Sequence, residues 1–205
     1  MRRYEAKSLE AVVQQLATNY FKNGYIFYVQ GFIPHGKESA VDKKLTSFYE
    51  TNISKDARYY RKSVGRSTLQ YLRFGRVFWL LARKGEHEFF LREKGIKDAR
   101  YSPVIIEKYS ISVTKDGKVT AKLSEKAYKS LKERLFFMAT RKEKHEVERY
   151  IFNFPVEAYS GVKWQLTGLL KQVNRLRKTA HKERISTNCI RKFRKPVKVY
   201  ESESC

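Results

Sequence analysis

The chain has 205 residues, 41% of them hydrophobic and 14% aromatic, with only 10 Gly and 4 Pro. That composition can bury a core, which excludes wholesale disorder. Its 44 Lys and Arg against 21 Asp and Glu leave a net charge of +23; self-repulsion penalises so large an excess, so a polyanionic partner is expected, nucleic acid first and an anionic membrane surface second.

Cys189 and Cys205 are the only cysteines, too few for a disulfide framework or a four-cysteine zinc site. The longest clean apolar run, Val77 to Ala82, is far too short to cross a bilayer. The N-terminus is charged and lacks a continuous apolar stretch, so no secretory leader is expected and a cytoplasmic protein, nucleoid-associated if it binds DNA, fits.

Leu9, Val12, Val13, Leu16 and Tyr20 recur at helical spacing and predict a helix over 6–21, stopped by Asn23-Gly24. Tyr25 to Phe32, rich in aromatic and β-branched residues, predicts a buried strand. Ser39 opens a second helix with Val41, Leu45, Phe48 and Tyr49 on one apolar face. The connection Thr51-Asn52-Ile53-Ser54 leads to a third, capped by Ser54 and running from Lys55 to about Val64, with Tyr60 expected in the core. Asp56 sits in its first turn, where the helix dipole favours an acid.

After Gly65 the period becomes that of strands. Residues 68–74 and 76–82 read as a hairpin about Gly75. A second hairpin is centred on Asp116-Gly117, with residues 104–113 as one long strand. Ser124 then caps a helix carrying Tyr128, Leu131, Leu135 and Met138, and a shorter helix with Val147, Tyr150 and Ile151 ends at Pro155. Val162, Leu166, Leu169, Leu170, Val173 and Leu176 form the stripe of a last helix from Gly161 to Ala180.

The expected architecture is α+β, in three parts: a nucleic-acid-binding part over 1–123, a helical part over 124–190 packed on it, and a basic, flexible tail over 191–205 with an acidic tip.

Residues 47–84 hold nine Lys and Arg interleaved with Tyr, Phe and Trp. A short helix, a tight turn, a more basic helix and a hairpin, in that order over 39–84, resemble a winged helix-turn-helix DNA-binding domain. The resemblance rests on element order and charge placement; the turn lacks a glycine. It implies that Arg58, Arg61 and Lys62 form the groove-facing side of a recognition helix, and that Arg66, Arg73 and Arg76 reach neighbouring backbone around the wing. On the last helix, Lys171, Arg175 and Lys178, with Arg177 beside them, make a second basic face. Arg191, Lys192 and Arg194 in the tail would follow the phosphate backbone.

Other chemistries find thinner support. Tyr59-Tyr60 is a pair of the kind that some DNA-nicking enzymes use, but adjacent helical side chains point about 100° apart and the four histidines are isolated in sequence. Residues 24–29, "GYIFYV", open like a GIY-YIG nuclease, yet "FIPHG" stands where a second tripeptide belongs. The acidic stretch 86–100 offers His87, Glu93, Asp98 and Arg100 as weak catalytic candidates for a metal-dependent nuclease. No cofactor is called for otherwise, and Mg²⁺ enters only with that alternative.

The expected function is nucleic-acid binding, DNA over RNA. The type is a regulator or replication initiator, in keeping with a plasmid, phage or other mobile element, and a homodimer is compatible with it. An RNA- or ribosome-associated structural protein is the other alternative.

Overall fold

A computed structural model of the protein describes residues 4–200. Cys205 and the acidic tip of the tail lie outside them. The protein is α+β, and its chain divides into two compact units. One holds the described residues up to Val104, together with Ser112–Val119 and the segment from Val197; the other holds Ile105–Ile111 and Thr120–Pro196.

The first unit opens with α1 (Leu9–Gln15), whose N-cap Ser8 accepts a hydrogen bond from Ala11 N. A π-helical turn, Leu16–Tyr20, continues it. The helical spacing read from sequence is realised: Ala11, Val12, Val13 and Leu16 are fully buried. Then come β1 (Phe27–Phe32), α2 (Glu38–Phe48), α3 (Lys55–Ser63), β2 (Leu69–Phe74), β3 (Val77–Ala82), the short α4 (Phe89–Arg92) and β4 (Lys97–Asp98). The four strands form one sheet in the order β2-β3-β1-β4.

The hairpin turns at Gly75-Arg76, as the local pattern predicts, with Phe74 opposite Val77 and Leu69 opposite Ala82. One face of the sheet, carrying Leu69, Tyr71, Leu80 and Ala82, packs with Tyr49 and Phe89. The alternate positions, among them Leu72, Trp79, Leu81 and Tyr28, are buried too, so both faces are covered. The hairpin is thus part of the core sheet.

Two helices of this unit depart from expectation. In α2 the one buried residue is Asp42, while Phe48 is exposed and Val41 and Leu45 are half-buried. The helix starts after Lys37, without a side-chain cap from Ser39. α3 has no fully buried residue, Ala57, Arg58 and Arg61 being half-buried, and Tyr60 lies on the surface.

In the second part of the chain, the strand expected over 104–113 is broken at Glu107-Lys108 into β5 (Val104–Ile106) and β6 (Tyr109–Val113). Glu107 takes a positive φ there. With β7 (Val119–Leu123) these make a three-stranded sheet, order β5-β6-β7. The helices α5 (Glu125–Arg141), α6 (Lys144–Asn153) and α7 (Ser160–Thr179) follow. Ser124 caps α5 through Ala127 N. The stripe of α7 is buried from Val162 to Val173 as its periodicity requires.

Where a loose tail is expected, Val197–Tyr200 is tied to the first unit. Gln14 Nε2 donates to Val197 O at 2.8 Å, and Val197 N donates back to Gln14 Oε1 at 3.0 Å. Lys7 N donates to Val199 O at 3.0 Å. The Tyr20 and Tyr200 hydroxyls meet at 3.0 Å.

Candidate nucleic-acid interface

α3 forms because Ser54 Oγ accepts from Ala57 N at 3.1 Å and Asp56 stands in the positive first turn. The helix lies on the surface, with Ala57 half-buried and Lys55, Tyr59, Tyr60 and Lys62 presented to solvent.

The three cations predicted to share its groove face separate. Arg61 turns to Glu50, Nη2 to Oε2 at 2.6 Å, and lines a hollow with Arg66, Glu86, His87 and Glu88. Arg58 and Lys62, one helical turn apart, line a different cleft of about 560 Å³.

That cleft gathers residues from the whole first unit. Its cations are Lys55, Arg58, Lys62 and Arg83, and no Asp or Glu lines it. Gln15, Asn19, Asn23 and Gln70 supply amide groups, and Tyr20, Tyr25, Tyr59 and Tyr200 supply rings. Arg83 lies over the Tyr25 ring, 5.6 Å from its centroid. Gln70 Nε2 donates to the Tyr25 hydroxyl at 3.3 Å. Burial raises the pKa of the Tyr20 hydroxyl, against the lowering pull of its bond with Tyr200 and of the Arg58 charge. Tyr59 stands at the edge, 76% exposed. Of the twelve residues lining the cleft, sequence pattern singles out only Arg58 and Lys62 as contacts; the others are brought to it by tertiary folding.

Two predicted contacts are corrected. Arg73 is buried, 4% exposed. Its guanidinium is held by Asp42 at 3.0 Å and Glu5 at 2.7 Å, and Nη1 donates to Gly75 O at 2.6 Å. Burial works against its charge, but the two carboxylates outweigh it and raise the pKa. Arg177 is 1% exposed. Position 177 continues the apolar stripe one turn past Val173, and its guanidinium donates to Ala139 O at 3.0 Å, Lys142 O at 2.9 Å and Glu183 O at 2.5 Å. Neither arginine is available to a phosphate.

The remaining basic candidates are on the surface. Arg66 is exposed beside Gly65, and Arg76 stacks over Phe32 at 4.6 Å next to the hairpin turn. Lys171, Arg175 and Lys178 are exposed along α7. Arg191 Nε donates to Phe152 O at 2.7 Å, Lys192 is exposed, and Arg194 lies over Tyr159 at 5.2 Å.

The acidic stretch does not converge on one point. The Tyr49 hydroxyl donates to Glu93, and Arg100 pairs with Asp98 at 2.6 Å. Burial opposes the Asp98 charge, but its hydrogen bonds with Arg100 outweigh this and lower the carboxyl pKa. His87 Nδ1 accepts from Phe89 N at 3.1 Å; burial first, and Arg61 second, lower its pKa. Among the described residues no three His, Cys, Asp or Glu side chains come together in a way that could hold a metal ion. No helix among them is long and apolar enough to cross a membrane.

No family model matches the chain, and no curated protein or solved structure matches it. Function therefore rests on the geometry above.

Proposed function

We propose that the protein binds nucleic acid, duplex DNA foremost, through the surface built around α3. One observation carries this: four cations, three from α3 and Arg83 from just past the end of β3, line a single cleft that no Asp or Glu lines. Opposed charges are normally interspersed on a protein surface, and a one-signed concavity focuses potential on an anionic ligand. Exposed Lys171, Arg175 and Lys178 give α7, in the other unit, a basic face of its own. In the finer form of the proposal α3 takes the place of a recognition helix and the Gly75-Arg76 turn that of a wing, with Arg76 on adjacent backbone. Such a protein is a regulator or an initiator of replication.

The test is fluorescence anisotropy with labelled duplex DNA, single-stranded DNA and structured RNA across a salt series. Duplex is expected to bind tightest, with log K falling linearly in log salt. Lys62→Glu and Arg83→Glu should each weaken binding to all sequences and reduce the salt slope by about 1. Equal binding of all three ligands, vanishing at about 0.15 M salt, would overturn the proposal. Tightest binding to structured RNA would move it to the RNA-associated alternative, to which the exposed aromatics would contribute by stacking.

A further inference from the structure

Beside the large cleft lies a second hollow of about 460 Å³ at the start of α3, and Lys55, Arg58 and Gln70 line both. Arg58 stands between the two with most of its donors unspent. Its Nη2 reaches Thr51 O only at 3.5 Å, and its Nε is buried without a hydrogen-bond partner. Thr51 lines the smaller hollow, is 4% exposed, and its Oγ1 is also buried without a partner. Buried polar groups are nearly always paired, and an unpaired one costs the desolvation of that group. Two such groups on one wall, next to the N-terminus of a nine-residue helix, mark a place for an acceptor-rich anion. No carboxylate lines either hollow; Asp56, in the first turn, is exposed and lines neither.

Resting on the nucleic-acid reading above, we infer that Arg58, Lys55 and Thr51 bind the terminal phosphate monoester of a nucleic-acid strand, whose last nucleotide enters the larger cleft. A monoester carries about −1.5 to −2 at neutral pH and three acceptor oxygens, which suits two cations and a hydroxyl. An internal phosphodiester carries a single charge. The larger cleft is of the size that encloses a small ligand. Its Asn19, Asn23 and Gln70 amides match the edges of a base, and exposed Tyr59 offers a ring to stack on it.

The experiment uses the full chain and an internally labelled duplex with a short single-stranded overhang in three forms: 5′-phosphate, 3′-phosphate, and hydroxyl at both ends. Adenosine 5′-monophosphate is an unlabelled competitor. One phosphorylated form should bind roughly tenfold tighter than the hydroxyl form, the ratio given by one charge-assisted hydrogen bond. Lys55→Gln, on the exposed rim, and Thr51→Val, which keeps the shape, should each cut that preference severalfold. Arg58→Gln should abolish it. Equal affinity for all three forms, with binding itself retained, would overturn the terminal-phosphate site and leave the nucleic-acid proposal standing. No binding of any oligonucleotide would sink both. Displacement by the mononucleotide at the same concentration as the phosphorylated strand would overturn the strand-end assignment in favour of a free nucleotide.

Discussion

An arginine taken out of water is tolerated where its donors meet acceptors, and removing one partner strands the charge. Arg73 satisfies that condition through Asp42, Glu5 and Gly75 O, and Tyr71 adds its hydroxyl to Asp42 at 2.7 Å. Asp42→Ala should therefore cost about 3 kcal/mol, the scale for breaking a buried pair, read as a lower midpoint in urea. Arg73→Met, which strands the buried Asp42 carboxylate with only the Tyr71 hydroxyl, should cost a similar amount. His87 gives a pH signature. Its folded pKa is lowered by burial and by Arg61, so the unfolded chain takes up a proton first. Its contribution to stability is present above the unfolded value of about 6.5 and is lost as pH falls from there through the lower folded value. His87→Asn, which retains an acceptor for Phe89 N, should flatten that part of the stability–pH curve. Cys189 is buried, and burial pushes its thiol up to about 11. In a Cys205→Ser variant, a thiol reagent at mildly alkaline pH should find Cys189 only after unfolding.

At the scale of elements, α7 offers two glycines with opposite requirements. A β-carbon on Gly161 would stand 2.6 Å from Ala121 O, whereas one on Gly168 would meet nothing within 4 Å. Gly161→Ala should destabilise by about 1–3 kcal/mol through overpacking. Gly168→Ala should stabilise by roughly 1 kcal/mol through helix propensity. Opposite shifts in melting temperature check the pair. Local signals account for much of the fold. Ser54 and Ser124 cap the helices they precede, the Gly75-Arg76 turn joins the strands beside it, and the α7 stripe packs inward. Each is written within about ten residues. What sequence pattern misses depends on distant partners. Asp42 is buried because Tyr71 and Arg73, 29 and 31 residues on, reach it, and this turns α2 away from its expected apolar face. Arg177 is drawn in by carbonyls 35 and 38 residues earlier. Tyr60 lies outward because the half-buried side of α3 is the one that carries Ala57, Arg58 and Arg61. The cleft is least visible of all, since Gln15, Arg83 and Tyr200 share no local pattern with α3.

For the molecule as a whole, +23 is a standing cost in the absence of a polyanion. Counterions screen it over about 10 Å at 0.1 M salt, so the melting temperature should rise as sodium chloride is raised from low to moderate concentration. A flat or falling dependence would overturn the claim that self-repulsion limits stability. The same molecule also has an order of completion. Tyr200 forms a wall of the cleft, and Val197 is fastened to Gln14, yet the first unit has otherwise left behind nearly all its chain by Val104. On a ribosome making about 5–20 residues per second, the wall arrives roughly 5–20 seconds after the sheet it stands beside. A nascent chain thus displays the cations of α3 before it possesses the finished cleft, and under the proposed function any selectivity of that cleft waits until Tyr200 has been made.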